Sequence, residues 1–182
     1  RSPYKEDAAT NPLSIYGRTK RDAEVAVHLE NERSSIVRTS WLYGEHGPNF
    51  PKTIARAGLE KRYLDVVDDQ IGQPTSTRDV ARLIKSLIVS GNPTGIFHAT
   101  NSGATDWCNF ARVLFSKAGW DPERVRPISS SAFLRPAPRP SWSVLDHHRW
   151  ESEGLDSPRP WEEALEEAWD TYLGRFFEGQ LI

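Results

Sequence analysis

Short apolar runs alternate with amphipathic segments along this chain, and that alternation restricts its fold more than any other feature. Runs rich in branched and aromatic residues, typical of buried strands, lie at 34–40, 62–69 and 95–100. The predicted helices, from periodicity and helix-starting residues, cover 12–29, 50–60, 77–89, 107–118 and a last segment after Pro158. Strands separated by helices indicate an α/β domain with at least partly parallel strand pairing.

The net charge, the hydrophobic content and the cysteine count argue against several classes of protein. The 182 residues, 37% of them hydrophobic, suffice for one domain, or for one domain and part of another. A formal net charge of −2 gives no reason to expect nucleic acid, and no apolar run approaches the ~20 residues of a membrane span. The single cysteine, Cys108, excludes an internal disulfide and suits a reducing compartment. We therefore expect a cytoplasmic protein with neither a membrane nor a nucleic-acid partner.

The heptapeptide SIYGRTK (14–20) places Tyr16 and Lys20 four positions apart on the first predicted helix. Residues with that spacing project from the same helix face. A lysine ammonium beside a phenol favours the phenolate, which suits general acid chemistry on a carbonyl oxygen. The Y-x-x-x-K pattern is short, however, and by itself it is most often an ordinary surface pair.

The pair belongs to a series of five motifs. They are NPLSIYGRTKRDAE (11–24), RTSWLYG (38–44), DDQIGQPT (68–75), GIFHATNSGATDWCNFA (95–111) and RPSWSVLD (139–146). In this order and spacing they resemble the dTDP-4-dehydrorhamnose reductases, a family of extended short-chain dehydrogenase/reductases, over about residues 7–173. Two departures from the family pattern are Ala23, where a glycine usually precedes the glutamate, and Asp106 in place of a serine.

The resemblance implies an α/β fold that is the C-terminal part of a Rossmann-type fold with the smaller substrate-binding subdomain. Residues 1–182 would form a partial cofactor-binding and sugar-nucleotide reductase domain. The remaining Rossmann elements would be 1–45 and 76–90, while 46–75 and 91–182 would belong mainly to the substrate-binding subdomain. The glycine-rich turn that holds a dinucleotide pyrophosphate is absent from the sequence. By resemblance we expect a reductase portion that is poorly stable alone or that dimerises over its exposed surface.

The same resemblance implies NADPH-dependent reduction of the C4 keto group of dTDP-4-dehydro-L-rhamnose or a related dTDP-4-keto-6-deoxysugar, with NADH left open as the cofactor. Tyr16 would give its proton to the keto oxygen. Lys20 would assist the tyrosine and bind the nicotinamide ribose. Thr39 and Ser40 follow the strand that faces the nicotinamide, so they join Tyr16 and Lys20 as candidate cofactor-binding residues.

The substrate side implied by the resemblance comes from several segments. Trp41 would lie against the deoxysugar, although burial in the core explains a tryptophan equally well. Asn49 and Phe50 open a helix whose N-terminus favours a diphosphate, although Asn49 is at least as well explained as an N-cap. The other candidate substrate-binding residues are Gln70, Gln73, Pro74 and, to meet phosphate charge, Arg135 or Arg139.

Three function classes stay open at this point. The intact Tyr16–Lys20 pair favours the reductase, whereas the missing glycine-rich turn favours a non-catalytic binding or regulatory relative. A sugar-nucleotide epimerase or dehydratase is the third class, and the motifs RTSW and DDQxGxPT disfavour it. We expect no metal site, because the histidines show no ligand spacing with acids or with Cys108, which we expect to be packed in the core.

Overall fold

The computed structural model describes residues 1–132 and 137–179. Its helices are α1 (Ile15–Glu30), α2 (Phe50–Glu60), α3 (Thr77–Val89), α4 (Trp107–Lys117), α5 (His148–Ser152), α6 (Trp161–Ala168) and α7 (Gly174–Phe177). Its strands are β1 (Ser35–Arg38), β2 (Leu42–Tyr43), β3 (Leu64–Val67), β4 (Ile71–Gly72), β5 (Thr75–Ser76), β6 (Gly95–His98), β7 (Thr105–Asp106) and β8 (Val125–Ile128). A π-helical turn at Trp169–Leu173 joins α6 to α7.

The strands pair two by two, and most of the pairs are parallel. Strand β1 pairs with β6, β2 with β5 and β3 with β8, all in parallel, while β4 and β7 are antiparallel. In the longest pairs Ser35 lies opposite Gly95 and Leu64 opposite Val125. The expected α/β class with parallel pairing is therefore confirmed.

In the described part of the chain, the larger of two hydrophobic cores lies where α2, α4 and α6 pack around β3 and β8. Phe110, Leu114 and Phe115 of α4 are buried at its centre. The predicted last helical segment after Pro158 packs here too, with Trp161, Leu165, Ala168 and Tyr172 all buried in this core. Cys108 also packs here, as expected, and burial raises the pKa of its thiol.

The smaller core joins α3, β6 and α5. It contains Leu83, Leu87, Phe97, Ala99 and Trp150, with the indole N–H of Trp150 donating to the carbonyl of His98 at 2.8 Å. The predicted domain division assigns β6 to the mainly substrate-binding part, whereas β6 pairs with β1 of the Rossmann part. The boundaries at 45, 75 and 90 stay a prediction.

Helix α1 differs from the expectation at its start. It begins at Ile15 instead of near Asn11, because the Ser14 hydroxyl caps it by accepting from the Gly17 amide at 3.1 Å. In addition, none of its residues is buried against the described part of the chain, and the apolar side chains of Ile15 and Leu29 are 71% and 77% exposed.

Two further absences concern the described ranges only. No helix in them combines the length and the apolar character needed to cross a bilayer. No group of three or more His, Cys, Asp or Glu side chains in those ranges is arranged to hold a metal ion.

Candidate active site

Tyr16 and Lys20 lie on one exposed face of α1. The Lys20 ammonium is 5.5 Å from the centroid of the Tyr16 ring, and Tyr16 is 72% exposed. A cation at this distance interacts with the ring face. Both groups are thus neighbours that a ligand can reach, and their acid–base role stays a prediction.

The carboxyl end of β1 presents two hydroxyl groups. Thr39 is exposed, and the partly buried Ser40 donates its hydroxyl to the carbonyl of Gln73 at 3.3 Å. Ligands of open α/β sheets bind outside the carboxyl ends of the strands. Thr39 is thus the accessible hydroxyl at this strand end, and the cofactor-binding role of Thr39 and Ser40 stays a prediction.

Trp41 is held in place by an aromatic partner that sequence reasoning missed. Its ring stacks on Trp107 with centroids 3.5 Å apart and planes inclined by 10°. Trp41 also has a positive φ of 46°, in the left-handed region that costs a bulky residue strain. One face of the indole is therefore occupied by protein. Trp107 could have been found in the sequence, because it lies in the motif GATDWCNFA.

A cleft of about 610 Å³ opens next to this stack. Phe50 and Trp107 lie in its wall with ring centroids 4.5 Å apart, and Gln70 and Arg139 line it as well. Its remaining lining includes Ile54, Val66, Ser130 and Pro138. Thr53 and the carboxylate of Asp65 line it too, so polar and apolar groups share the wall almost equally. A cleft of this size is typical of small-molecule sites.

Four predicted substrate-binding residues within the described ranges do not line this cleft, and the first is Trp41, whose role toward the sugar stays a prediction. Asn49 is the N-cap of α2, with its carbonyl accepting from the Lys52 amide at 3.2 Å and its amide donating to the Gly44 carbonyl at 2.8 Å. Pro74 is buried. The side chains of both are thus engaged in the fold, and their role toward substrate stays a prediction. Arg135 lies outside the described residues.

Gln73 is the fourth, and its buried amide holds the loop that carries RPSWSVLD. The carbonyl of the side chain accepts from the Leu145 amide at 2.8 Å and from the Thr100 hydroxyl at 3.0 Å, and its NH₂ group donates to the Leu145 carbonyl at 3.1 Å. A buried amide with these bonds is a structural group first. The sequence offers no local signal for it, since Gln73 and Leu145 are far apart in the chain.

The buried His98 and the partly buried His147 extend this network. Because Thr100 donates to Gln73, the imidazole Nε2 of His147 donates to the Thr100 hydroxyl, at 2.8 Å. The Nδ1 of His98 lies 3.0 Å from the Asp146 carbonyl, to which it donates. Burial lowers the pKa of both rings, that of His147 to about 4. Both are therefore neutral near pH 7, and they act as hydrogen-bonding parts of the fold.

A family model described as the RmlD substrate binding domain matches residues 1–173. A dTDP-4-dehydrorhamnose reductase of Streptomyces griseus is 46% identical over 178 residues, which cover 95% of this chain and 59% of that protein. A probable dTDP-4,6-dihydroxy-2-methyloxan-3-one 4-ketoreductase of Streptomyces antibioticus is also 46% identical, over 173 residues and the same shares of the two chains.

The crystal structure of dTDP-4-dehydrorhamnose reductase from Bacillus anthracis, in complex with NADP, superposes with a TM-score of 0.88 at 38% identity. The match covers 92% of this chain and 59% of that one, so the chain spans less than two thirds of the relatives' length. This likeness confirms the expected Rossmann-type fold class, and the family match confirms the resemblance. The chain belongs to the RmlD substrate-binding domain family, the family of the dTDP-4-dehydrorhamnose reductases.

Proposed function

We propose that this protein reduces the C4 keto group of dTDP-4-dehydro-L-rhamnose, or of a related dTDP-4-keto-6-deoxysugar, with NADPH. The observation that carries the proposal is the accessible Tyr16–Lys20 pair on α1, in a chain that belongs to this family. An exposed tyrosine hydroxyl with a neighbouring ammonium has the chemistry of a proton donor to a carbonyl oxygen. The named relatives, one of which is named as a probable ketoreductase of another dTDP sugar, support the substrate class.

The residues of the chain have separate tasks in this proposal. Tyr16 donates its proton to the C4 oxygen as negative charge develops there. Lys20 stabilises the resulting phenolate by its positive charge, and its ammonium donates to the nicotinamide ribose. Thr39 and Ser40 offer hydroxyl groups on the cofactor side. NADPH, when bound, supplies the hydride.

The substrate is proposed to enter the cleft beside the aromatic residues. Phe50 and Trp107 present ring surfaces that suit the apolar parts of a deoxysugar or a pyrimidine. Arg139 brings positive charge to the cleft, and the N-terminus of α2 favours a diphosphate. Gln70 adds an amide that can exchange hydrogen bonds with sugar hydroxyls. The buried, single cysteine is consistent with a reducing compartment, so we propose a cytoplasmic enzyme.

Turnover measured with a tyrosine variant tests the proposal. Wild-type protein mixed with NADPH and dTDP-4-dehydro-L-rhamnose should oxidise NADPH, seen as a fall in its absorbance, in proportion to the sugar that is reduced. Tyr16→Phe should lose at least about 100-fold in kcat, as expected for removal of a general acid, and should still bind the sugar nucleotide by calorimetry. Tyr63→Phe, which removes a hydroxyl elsewhere on the surface, should match the wild type.

The opposite result would be equally clear. Saturable binding of the dTDP sugar without any NADPH consumption would contradict the reductase and favour a binding relative. Equal turnover by Tyr16→Phe and wild type would remove Tyr16 from the chemistry. The same samples, examined by sedimentation, would show whether the chain forms the homodimer that the sequence leaves open.

A further inference from the structure

Helix α1 carries the proposed catalytic pair, yet it buries none of its own side chains among the described residues. Core packing usually fixes the rotation and height of an amphipathic helix. A catalytic group has to be held close to its productive geometry, and a shift of about 1 Å is costly. Some other contact in the structure must therefore orient α1.

An ion pair between Glu24 and Arg38 supplies such a contact. The Arg38 Nε donates to one carboxylate oxygen of Glu24 at 2.8 Å, and its Nη2 donates to the other at 2.7 Å. The side chains are only 20% and 21% exposed, so solvent screens the pair less than an ordinary surface pair. Two parallel hydrogen bonds between planar groups also fix direction, which a single contact does not.

Arg38 is well placed to act as the fixed partner. It is the last residue of β1, it lies opposite His98 in the β1–β6 register, and its carbonyl accepts from the Ala99 amide at 2.8 Å. The residue that follows it is Thr39, the first of the candidate cofactor-binding hydroxyls. The position of the guanidinium is thus set by the same strand end that presents the cofactor side of the site.

Glu24 is equally well placed on the helix. Tyr16, Lys20 and Glu24 follow one another at intervals of four residues, so they lie along one face of α1 over about 12 Å. Fixing the carboxylate of Glu24 therefore fixes both the rotation and the height of Tyr16 and Lys20. By contrast, the Arg21–Asp22 pair stays within the helix, with 41% and 63% exposure, and orients nothing outside it.

We propose that the Glu24–Arg38 pair is a positioning device that holds the Tyr16–Lys20 face of α1 against the carboxyl end of β1. The inference rests on the proposed function and adds two residues to it, both of which would act through the position of α1. It also gives a physical reason for the arginine of the motif RTSW and for the glutamate that ends the motif NPLSIYGRTKRDAE.

Kinetics of charge variants test this role. Glu24→Gln and Arg38→Lys each keep most of the side-chain volume but lose the paired geometry, since a lysine has no planar fork. We expect kcat to fall by about 10- to 100-fold in each, with the KM for the sugar nucleotide unchanged. The reciprocal double variant, Glu24→Arg with Arg38→Glu, should recover part of the lost kcat. Asp22→Asn, on the same helix, should leave kcat at the wild-type value.

Two outcomes would overturn the inference. One is an unchanged kcat in both Glu24→Gln and Arg38→Lys; the other is a fall in kcat that the double variant makes worse. If the wild type itself reduces no dTDP-4-keto sugar, the proposed function fails. Amide hydrogen exchange then tests by itself whether the Glu24–Arg38 pair holds α1 in place. Faster exchange of the α1 amides in Glu24→Gln than in Asp22→Asn would support this positioning role, and equal exchange would refute it.

Discussion

Replacing Asp79 by asparagine should cost this protein a large part of its stability. Asp79 lies in the first turn of α3, with a side chain only 7% exposed. Its carboxylate accepts from Arg82 at 2.8 Å, from two nitrogens of Arg159 at 2.9 Å each, and from the Asn101 amide at 2.8 Å. Arg159 lies just before α6, so one carboxylate connects the α3 region to the helix that covers the larger core.

The size of the effect follows from the exposure of the partners. Removing one member of a fully buried ion pair costs roughly 3–5 kcal/mol. Here Arg159 is 30% and Arg82 55% exposed, and both keep a second carboxylate, that of Glu167, at 2.7 Å. We therefore expect Asp79→Asn to lower the free energy of unfolding by about 2 to 3 kcal/mol, below the full range.

Urea titration followed by circular dichroism measures this loss. The midpoint should fall by about 1 M with an unchanged slope. The matched control is Asp65→Asn, which breaks the Asp65–Arg126 pair, whose side chains are 54% and 55% exposed, and should cost at most about 1 kcal/mol. Equal losses in the two variants would refute the idea that burial makes the Asp79 network the stronger one.

Two further predictions concern the site and its surroundings. In Gly72→Ala the added methyl group would come within 2.5 Å of the Trp41 ring and 2.8 Å of the Ser143 hydroxyl. The variant should therefore disturb the Trp41–Trp107 stack, change the near-ultraviolet circular dichroism and weaken dTDP-sugar binding. An unchanged spectrum would contradict this. His147, with its pKa lowered from 6.5 to about 4, binds a proton more readily in the unfolded chain than in the folded one. The free energy of unfolding should therefore fall by about 3 kcal/mol as the pH drops from 6.5 to 4. In urea titrations repeated across this range, His147→Gln should remove most of this dependence on pH. A slope identical in the variant and the wild type would show that His147 is not its source.

Local signals predicted several elements well. Helix α2 has the predicted bounds because an asparagine N-cap and Pro51 define its start without help from tertiary structure. Asp106 caps α4 for the same reason, by accepting from the Asn109 amide at 2.7 Å. The predicted start of α1 was wrong because Asn11 and Ser14 are both good N-cap residues. Only the folded chain shows which of the two side chains accepts from a free N–H group of the helix.

Contacts between distant segments could not be predicted in this way. The two-residue strands β4 and β5 are too short to show any alternation. The stack of Trp41 on Trp107 joins residues that only the fold brings together, and so does the Glu24–Arg38 pair. The apolar residues of α1 recur with a helical period, but a periodic pattern does not say what that face of the helix contacts.

Most residues of the candidate site were predicted from the family motifs, and in the structure these residues lie in different surroundings. Phe50, Gln70 and Arg139 line one cleft, whereas Asn49 caps a helix and Gln73 holds a loop. A motif records which residues occur together, and does not separate those that bind a ligand from those that support them. Hydrogen-bond partners and burial show which of these side chains also support the fold, and ligand binding stays a prediction for each of them.

Transfer of deuterium from labelled cofactor to sugar tests the central claim most directly. The protein would be incubated with NADPH carrying deuterium at the transferable position of the nicotinamide, together with dTDP-4-dehydro-L-rhamnose, and the product would be analysed by mass spectrometry and NMR. The proposed reaction predicts one deuterium on C4 of the product sugar, formed by the wild type and by Tyr63→Phe and largely lost in Tyr16→Phe. A product without deuterium at C4, or the same yield from Tyr16→Phe as from the wild type, would contradict it.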